Sequence, residues 1–79
     1  MKFNQWLATQ ITIVGLERGK AAELFEISRH SLHKWLTGKA FPSMRNLRRI
    51  SAIIALLREC PVGIVRREIA DTIEMELST

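Results

Sequence analysis

The 79-residue sequence predicts an all-α, compact five-helix domain. Three observations predict it. Apolar residues recur at helical spacing in five separate stretches, helix-starting residues head three of them (Ser28, Ser43 and Pro61), and no stretch reads as a β-strand. No internal repeat divides the chain and no linker is long enough to do so, so residues 1–79 form one domain.

In the first helix Phe3, Trp6, Leu7, Ile11 and Val14 make one apolar stripe with Gln10 on the same line, and Gly15 ends it. A short second helix reads over 18–25, where Ala21, Ala22, Leu24 and Phe25 supply the buried face and Ala22 lets another backbone come close. Ser28 is a good N-cap for the third, because its hydroxyl can accept from the free amides of the next turn. Leu32, Trp35 and Leu36 form its buried side, and Gly38 stops it. Phe41, Pro42 and Ser43 read as a turn, and Ser43 caps a longer helix through Leu47, Ile50, Ser51, Ile54 and Leu57. After Ser51 that helix is apolar all round, since Ala52, Ile53, Ala55 and Leu56 fill its far side, so its second half needs cover on both faces. A fifth, amphipathic helix spans 61–77, with Pro61 in the first position and Val65, Ile69, Thr72, Ile73 and Leu77 recurring at helical spacing.

Composition limits the possible functions. A core this small supplies about 3 to 5 kcal/mol, so a partner subunit is a natural source of further stability. Cys60 is the only cysteine, which excludes an intrachain disulfide. Asn4, Gln5, Thr9 and Gln10 interrupt any apolar leader, and the longest apolar run, 52–57, is too short for a bilayer. These features point to a cytoplasmic protein with no membrane partner.

Charge is uneven along the chain. Seven basic residues lie between Ile27 and Arg58 (Arg29, Lys34, Lys39, Arg45, Arg48, Arg49 and Arg58) with no acid among them. Residues 1–60 carry +6, and residues 61–79 carry −2. The basic stretch suits a polyanion, and the tail does not. Mild basicity alone also occurs in domains that bind nothing.

Over 18–37, two short helices meet at a tight turn and the second is basic, the arrangement that lets a helix lie in the major groove of DNA. Gly15-Leu16, Ala21-Ala22, Ile27-Ser28, Leu32, Trp35, Gly38-Lys39, Pro42-Ser43 and Leu47 follow one another without a gap over 15–51. In this pattern the chain resembles the phage-repressor family of helix-turn-helix proteins, the lambda repressor and Cro type, also called xenobiotic-response-element-like. Four positions depart from the family. Glu26 stands in the turn where glycine is usual, at a cost of about 1 to 2 kcal/mol for a left-handed residue with a side chain. Leu36 and Ile11 replace a glutamate and arginine that often pair, an exchange an apolar contact can accommodate. Arg18 replaces a glutamine that touches the DNA backbone, and it keeps the capacity to reach phosphate.

The resemblance implies base reading by Arg29, His30 and Lys34, with His33 as a further base or phosphate contact. Arginine and lysine favour the O6 and N7 acceptors of guanine, which predicts G-containing half-sites. Backbone contacts are expected from Arg18, Ser28, Ser31, Thr37, Lys39, Ser43 and Arg45. Arg48 and Arg49 read as a solvated face. Surplus apolar surface on the fourth helix and the amphipathic tail predict a homodimer through Ile53, Leu56, Leu57, Val65, Ile69 and Ile73, although the tail can instead fold over its own core. A two-fold dimer presents recognition helices about 34 Å apart to a near-palindromic operator.

The expected function is therefore sequence-specific binding of double-stranded DNA as a transcriptional regulator. With no room for an effector domain, repression by steric exclusion of polymerase is the simplest mechanism, often autoregulatory within the family. Such proteins belong to phages, mobile elements and chromosomes alike. No cofactor, metal or catalysis is expected. His30 and His33 lack further ligands nearby, and Glu23 with Glu26 and Glu74 with Glu76 read as solvated faces. Two other readings stand beside this one. In the first the chain is an antitoxin whose tail masks a toxin while the same motif represses their gene; in the second it is a helical bundle that binds only protein, which leaves the acid-free basic stretch unexplained.

Overall fold

Each of the five apolar stripes forms a helix: α1 (Phe3–Ile13), α2 (Arg18–Leu24), α3 (Arg29–Leu36), α4 (Met44–Arg58) and α5 (Val62–Ser78). The computed structural model describes the backbone of residues 1–78 and the side chains of residues 1–74, with no strand among them. Glu76 and Leu77 lie outside the described side chains. Ser28 and Ser43 cap α3 and α4 as expected, each accepting from the amide three residues on, at 3.0 Å from Ser31 and 3.3 Å from Asn46. Pro61 stands one residue ahead of α5 instead of inside it, and its carbonyl accepts from Ile64 N at 3.1 Å.

Helices α1 to α4 all close with the same paired hydrogen bonds, in which late carbonyls accept from the amide of a left-handed residue and from the amide after it. In α1 the bonds run from Gly15 N to Thr12 O and from Leu16 N to Ile11 O, and in α3 from Gly38 N to Trp35 O and from Lys39 N to Lys34 O. Gly15 (φ 72°) and Gly38 (φ 76°) take that conformation without a steric cost. Helices α2 and α4 place Glu26 (φ 56°) and Glu59 (φ 54°) there. The strain at Glu26 was legible in the sequence; Glu59 gives no comparable signal, because charged residues at a helix end are ordinary.

The core sits where the helices converge. Phe3 and Leu7 of α1, Phe25 after α2, Leu32 of α3, Ile50 and Ile54 of α4 and Val65 of α5 are fully buried. Helix α3 packs on α1 and α2, while α5 lies along α4 and across α1. Part of the expected dimer surface is buried within the single chain. Val65 and Ile69 are 0 % and 5 % exposed within the single chain, and Ile53 and Ile73 pack against the same core. The apolar stripe of α5 fills the space that the first four helices leave open, so Val65 and Ile69 have no surface to offer a partner. Of the expected dimer residues, Leu56 (77 % exposed) and Leu57 (41 %) stay in solvent, and Ala52 is exposed beside them. The second half of α4 is thus covered on one face only.

One polar joint holds α5 in place. The Arg58 guanidinium at the end of α4 grips Glu68 of α5 with two parallel bonds, 2.7 and 2.9 Å, and donates to Gln10 Oε1 of α1 at 3.0 Å. Trp6 Nε1, also on α1, donates to Glu68 Oε1 at 3.0 Å. Gln10 is buried, and this bond satisfies it. The other two buried polar side chains turn back on their own helices, Ser51 to Leu47 O at 2.8 Å and Thr72 to Ile69 O at 2.6 Å. Among the described residues no buried side-chain nitrogen or oxygen lacks a partner.

The hydrogen bond from Arg58 holds the Glu68 carboxyl below the ordinary carboxylate range, against the opposing effect of burial. A carboxylate whose folded pKa is depressed contributes stability that is fully present above its unfolded pKa, about 4.3, and is lost as pH falls through the folded value. Both groups are partly solvated, which screens the pair. Glu68→Gln is expected to cost about 1 to 2 kcal/mol at pH 7, read as the urea midpoint, and the difference from wild type should shrink below about pH 4. An equal difference at pH 7 and pH 2.5 would exclude the carboxylate as its source.

Candidate nucleic-acid interface

Helix α3 is fixed by its apolar side and presents its basic side to solvent. Leu32 and Trp35 are buried, Leu36 is half-buried, and Asn4 Nδ2 of α1 reaches Leu36 O at 3.4 Å. Ile11 and Leu36 line one recess together with Ala8 and Leu16. With that side anchored, Arg29, His30, His33 and Lys34 are all exposed. His33 and Lys34 occupy the last turn, where positive charge suits the carbonyl end of the helix.

The expected backbone contacts differ in how free their side chains are. Ser28 Oγ accepts from Ser31 N and donates to Ser31 Oγ at 3.0 Å, so both hydroxyls serve the start of α3. Thr37 Oγ1 donates to His33 O at 2.9 Å and lies 3.3 Å from Lys34 O, so its hydroxyl proton closes the helix end. A phosphate offers only acceptors, so in this arrangement Thr37 cannot donate to one. Lys39, Ser43 and Arg45 are exposed on the segment that follows. That segment is held by the buried Pro42 and by the Phe41 ring, which sits 4.9 Å from that of Phe3. Arg18 is exposed at the head of α2, where it lines a recess shared with Gly19, Arg29, Leu32 and His33.

The turn between α2 and α3 carries a feature that sequence reasoning missed. Arg49 was expected on a solvated face; instead its Nε lies 3.3 Å from Glu26 Oε2 and its Nη1 3.5 Å from Phe25 O. Helix α4 therefore reaches back to hold the strained turn residue. The contact spans more than twenty positions of sequence, and neither residue type signals it. Two arginines of the basic stretch, Arg49 and Arg58, thus face carboxylates, while Arg29, Lys34, Lys39, Arg45 and Arg48 are in none of the ion pairs among the described residues.

Among the described residues no three His, Cys, Asp or Glu side chains stand close enough to hold a metal, and no helix is long and apolar enough to cross a membrane. Cys60 is a free, half-buried thiol packed against the core. Comparison with protein-family models, curated proteins and solved structures finds no match to this chain.

Glu26→Gly relieves about 1 to 2 kcal/mol of backbone strain and loses a largely solvated ion pair worth about 0 to 1 kcal/mol. The expected net effect is a stabilisation of about 0.5 to 1 kcal/mol, seen as a melting temperature several degrees higher by circular dichroism. A lower melting temperature would mean that the hold of Arg49 on the turn outweighs the strain.

Proposed function

We propose that α2, the turn at 25–28 and α3 act as a helix-turn-helix that sets α3 in the major groove of duplex DNA, in a homodimer that regulates transcription by repression. The observation that carries this reading is the solvent side of α3. Four exposed nitrogen-bearing side chains, Arg29, His30, His33 and Lys34, share it with no acid on the helix, and Lys39, Ser43 and Arg45 follow on the next segment. Bound in this way, His30 and Lys34 of α3 face base edges and the following segment faces phosphates, which sets register. The phage-repressor resemblance over 15–51 supports the same assignment.

The pairing surface is proposed on α4 around Ala52, Leu56 and Leu57, since α5 is committed to its own core. That commitment also bears on the antitoxin reading. A tail that folds only on a toxin would leave its apolar stripe uncovered, whereas Val65, Ile69 and Thr72 are buried within the chain.

Titration against duplex DNA from upstream of its own gene and against a scrambled duplex, at two salt concentrations, tests the reading. The native duplex is expected to bind at least about a hundredfold tighter, with two subunits per site and affinity falling steeply in salt. Lys34→Ala should lose about 1 to 3 kcal/mol on the preferred duplex and relax preference at one position per half-site, whereas Lys39→Ala should weaken both duplexes equally. Uniform loss in both variants would remove α3 as the reading helix. Leu56→Ser should leave the folding stability of the dilute protein within about 0.5 kcal/mol of wild type and abolish self-association in sedimentation. Unchanged sedimentation would place the pairing surface elsewhere.

A further inference from the structure

The contact between Arg29 and Gly19 assigns Arg29 a different role from the one its place in α3 suggests. Arg29 is the first residue of α3, from which an extended side chain would point beyond the helix end. Instead its guanidinium sits against Gly19, the second residue of α2, so closely that any Cβ at position 19 would collide with Cζ and a terminal nitrogen. Arg18, Gly19, Arg29, Leu32 and His33 together line a recess of about 280 Å³. No acid lines it, and neither arginine belongs to an ion pair among the described residues. Two arginines and a histidine thus contribute to one recess, with the Arg29 guanidinium against the Gly19 backbone.

We infer that this recess is a phosphate pocket, and that Arg29 clamps one backbone phosphate of the bound duplex instead of reading a base. The inference rests on the helix-turn-helix reading above. A phosphodiester presents two charged oxygens, which match the planar donor fork of a guanidinium, and a second guanidinium and an imidazole N–H can complete the shell. Leu32 closes the floor of the pocket. Glycine at position 19 is what lets the Arg29 fork lie there, since a side chain would push it out toward the groove. Base reading then falls to His30 and Lys34, and Arg29 fixes register with Arg18.

The test uses the full chain with a duplex selected by the wild-type protein from a randomised pool, and a scrambled duplex of the same length, across a salt series. Arg29→Ala should weaken both duplexes by the same factor, about tenfold for each subunit, and make the salt dependence shallower by about 1.8 in log–log slope, the signature of one phosphate lost by each of the two subunits. Gly19→Ala should move both quantities in the same direction by a smaller factor without lowering the melting temperature, because alanine favours the helix. Repeating the selection with Arg29→Ala should return the same preferred sequence. A changed preference at one base per half-site, with the scrambled duplex unaffected, would overturn the inference and restore Arg29 as a base reader. If the wild-type protein binds no duplex, the helix-turn-helix reading fails by itself, and titration with inorganic phosphate followed by nitrogen-15 NMR decides the pocket. Shifts at the Arg29 Nε–H and the Gly19 amide that vanish in Arg29→Ala would support it, and no shift at those groups would overturn it.

Discussion

The bidentate grip of Arg58 on Glu68 is the joint on which the arrangement of the helices depends. It joins the end of α4 to α5, and through Gln10 and Trp6 it joins both to α1. Four short helices in so small a chain leave an apolar opening between α1 and α4, and α5 closes it with Val65 and Ile69. Apolar packing has little directionality, so a stripe of small aliphatic residues sets the depth of a helix better than its register. A planar guanidinium facing a planar carboxylate, with an indole N–H and a carboxamide completing the set, fixes register as well. The remaining consequence is subtraction. With Val65 and Ile69 in the core, Leu56 and Leu57 of α4 are among the large apolar side chains left in solvent.

The same logic reshapes the charge pattern. Along the chain, 27–58 is basic without interruption. In space, acids from either side of that stretch fold onto it, Glu26 onto Arg49 and Glu68 onto Arg58. Both of these arginines lie on α4 toward its middle and end. The basic residues of that stretch outside these pairs lie on α3, on the segment after it and at the start of α4, and none of them is in an ion pair among the described residues.

Strain is distributed unequally among four similar helix ends. Gly15 and Gly38 adopt the left-handed closing conformation freely, while Glu26 and Glu59 do so with a side chain attached. At Glu26 the side chain has a use, because its carboxylate gives α4 a hold on the junction of α2 and α3. A strained residue kept in place by a distant helix ties the angle between the two short helices to the rest of the fold.

The sequence by itself determined the number and order of helices, the serine caps, the glycine stops and the buried side of α3, because these follow from periodicity and from backbone preferences that act within a few residues. It also marked the exposed basic side of α3, since a helix with Leu32 and Trp35 buried has only one face left for Arg29, His30, His33 and Lys34. The tertiary structure decided which apolar surplus is covered, where each arginine goes and how the turn is held. Whether Val65 faces a core or a partner, whether Arg49 is solvated or bound to Glu26, and whether Arg29 extends or lies on Gly19 are all questions of what a side chain meets across a gap in sequence. Local propensity carries no information about such meetings, because their energies arise only when the helices are packed.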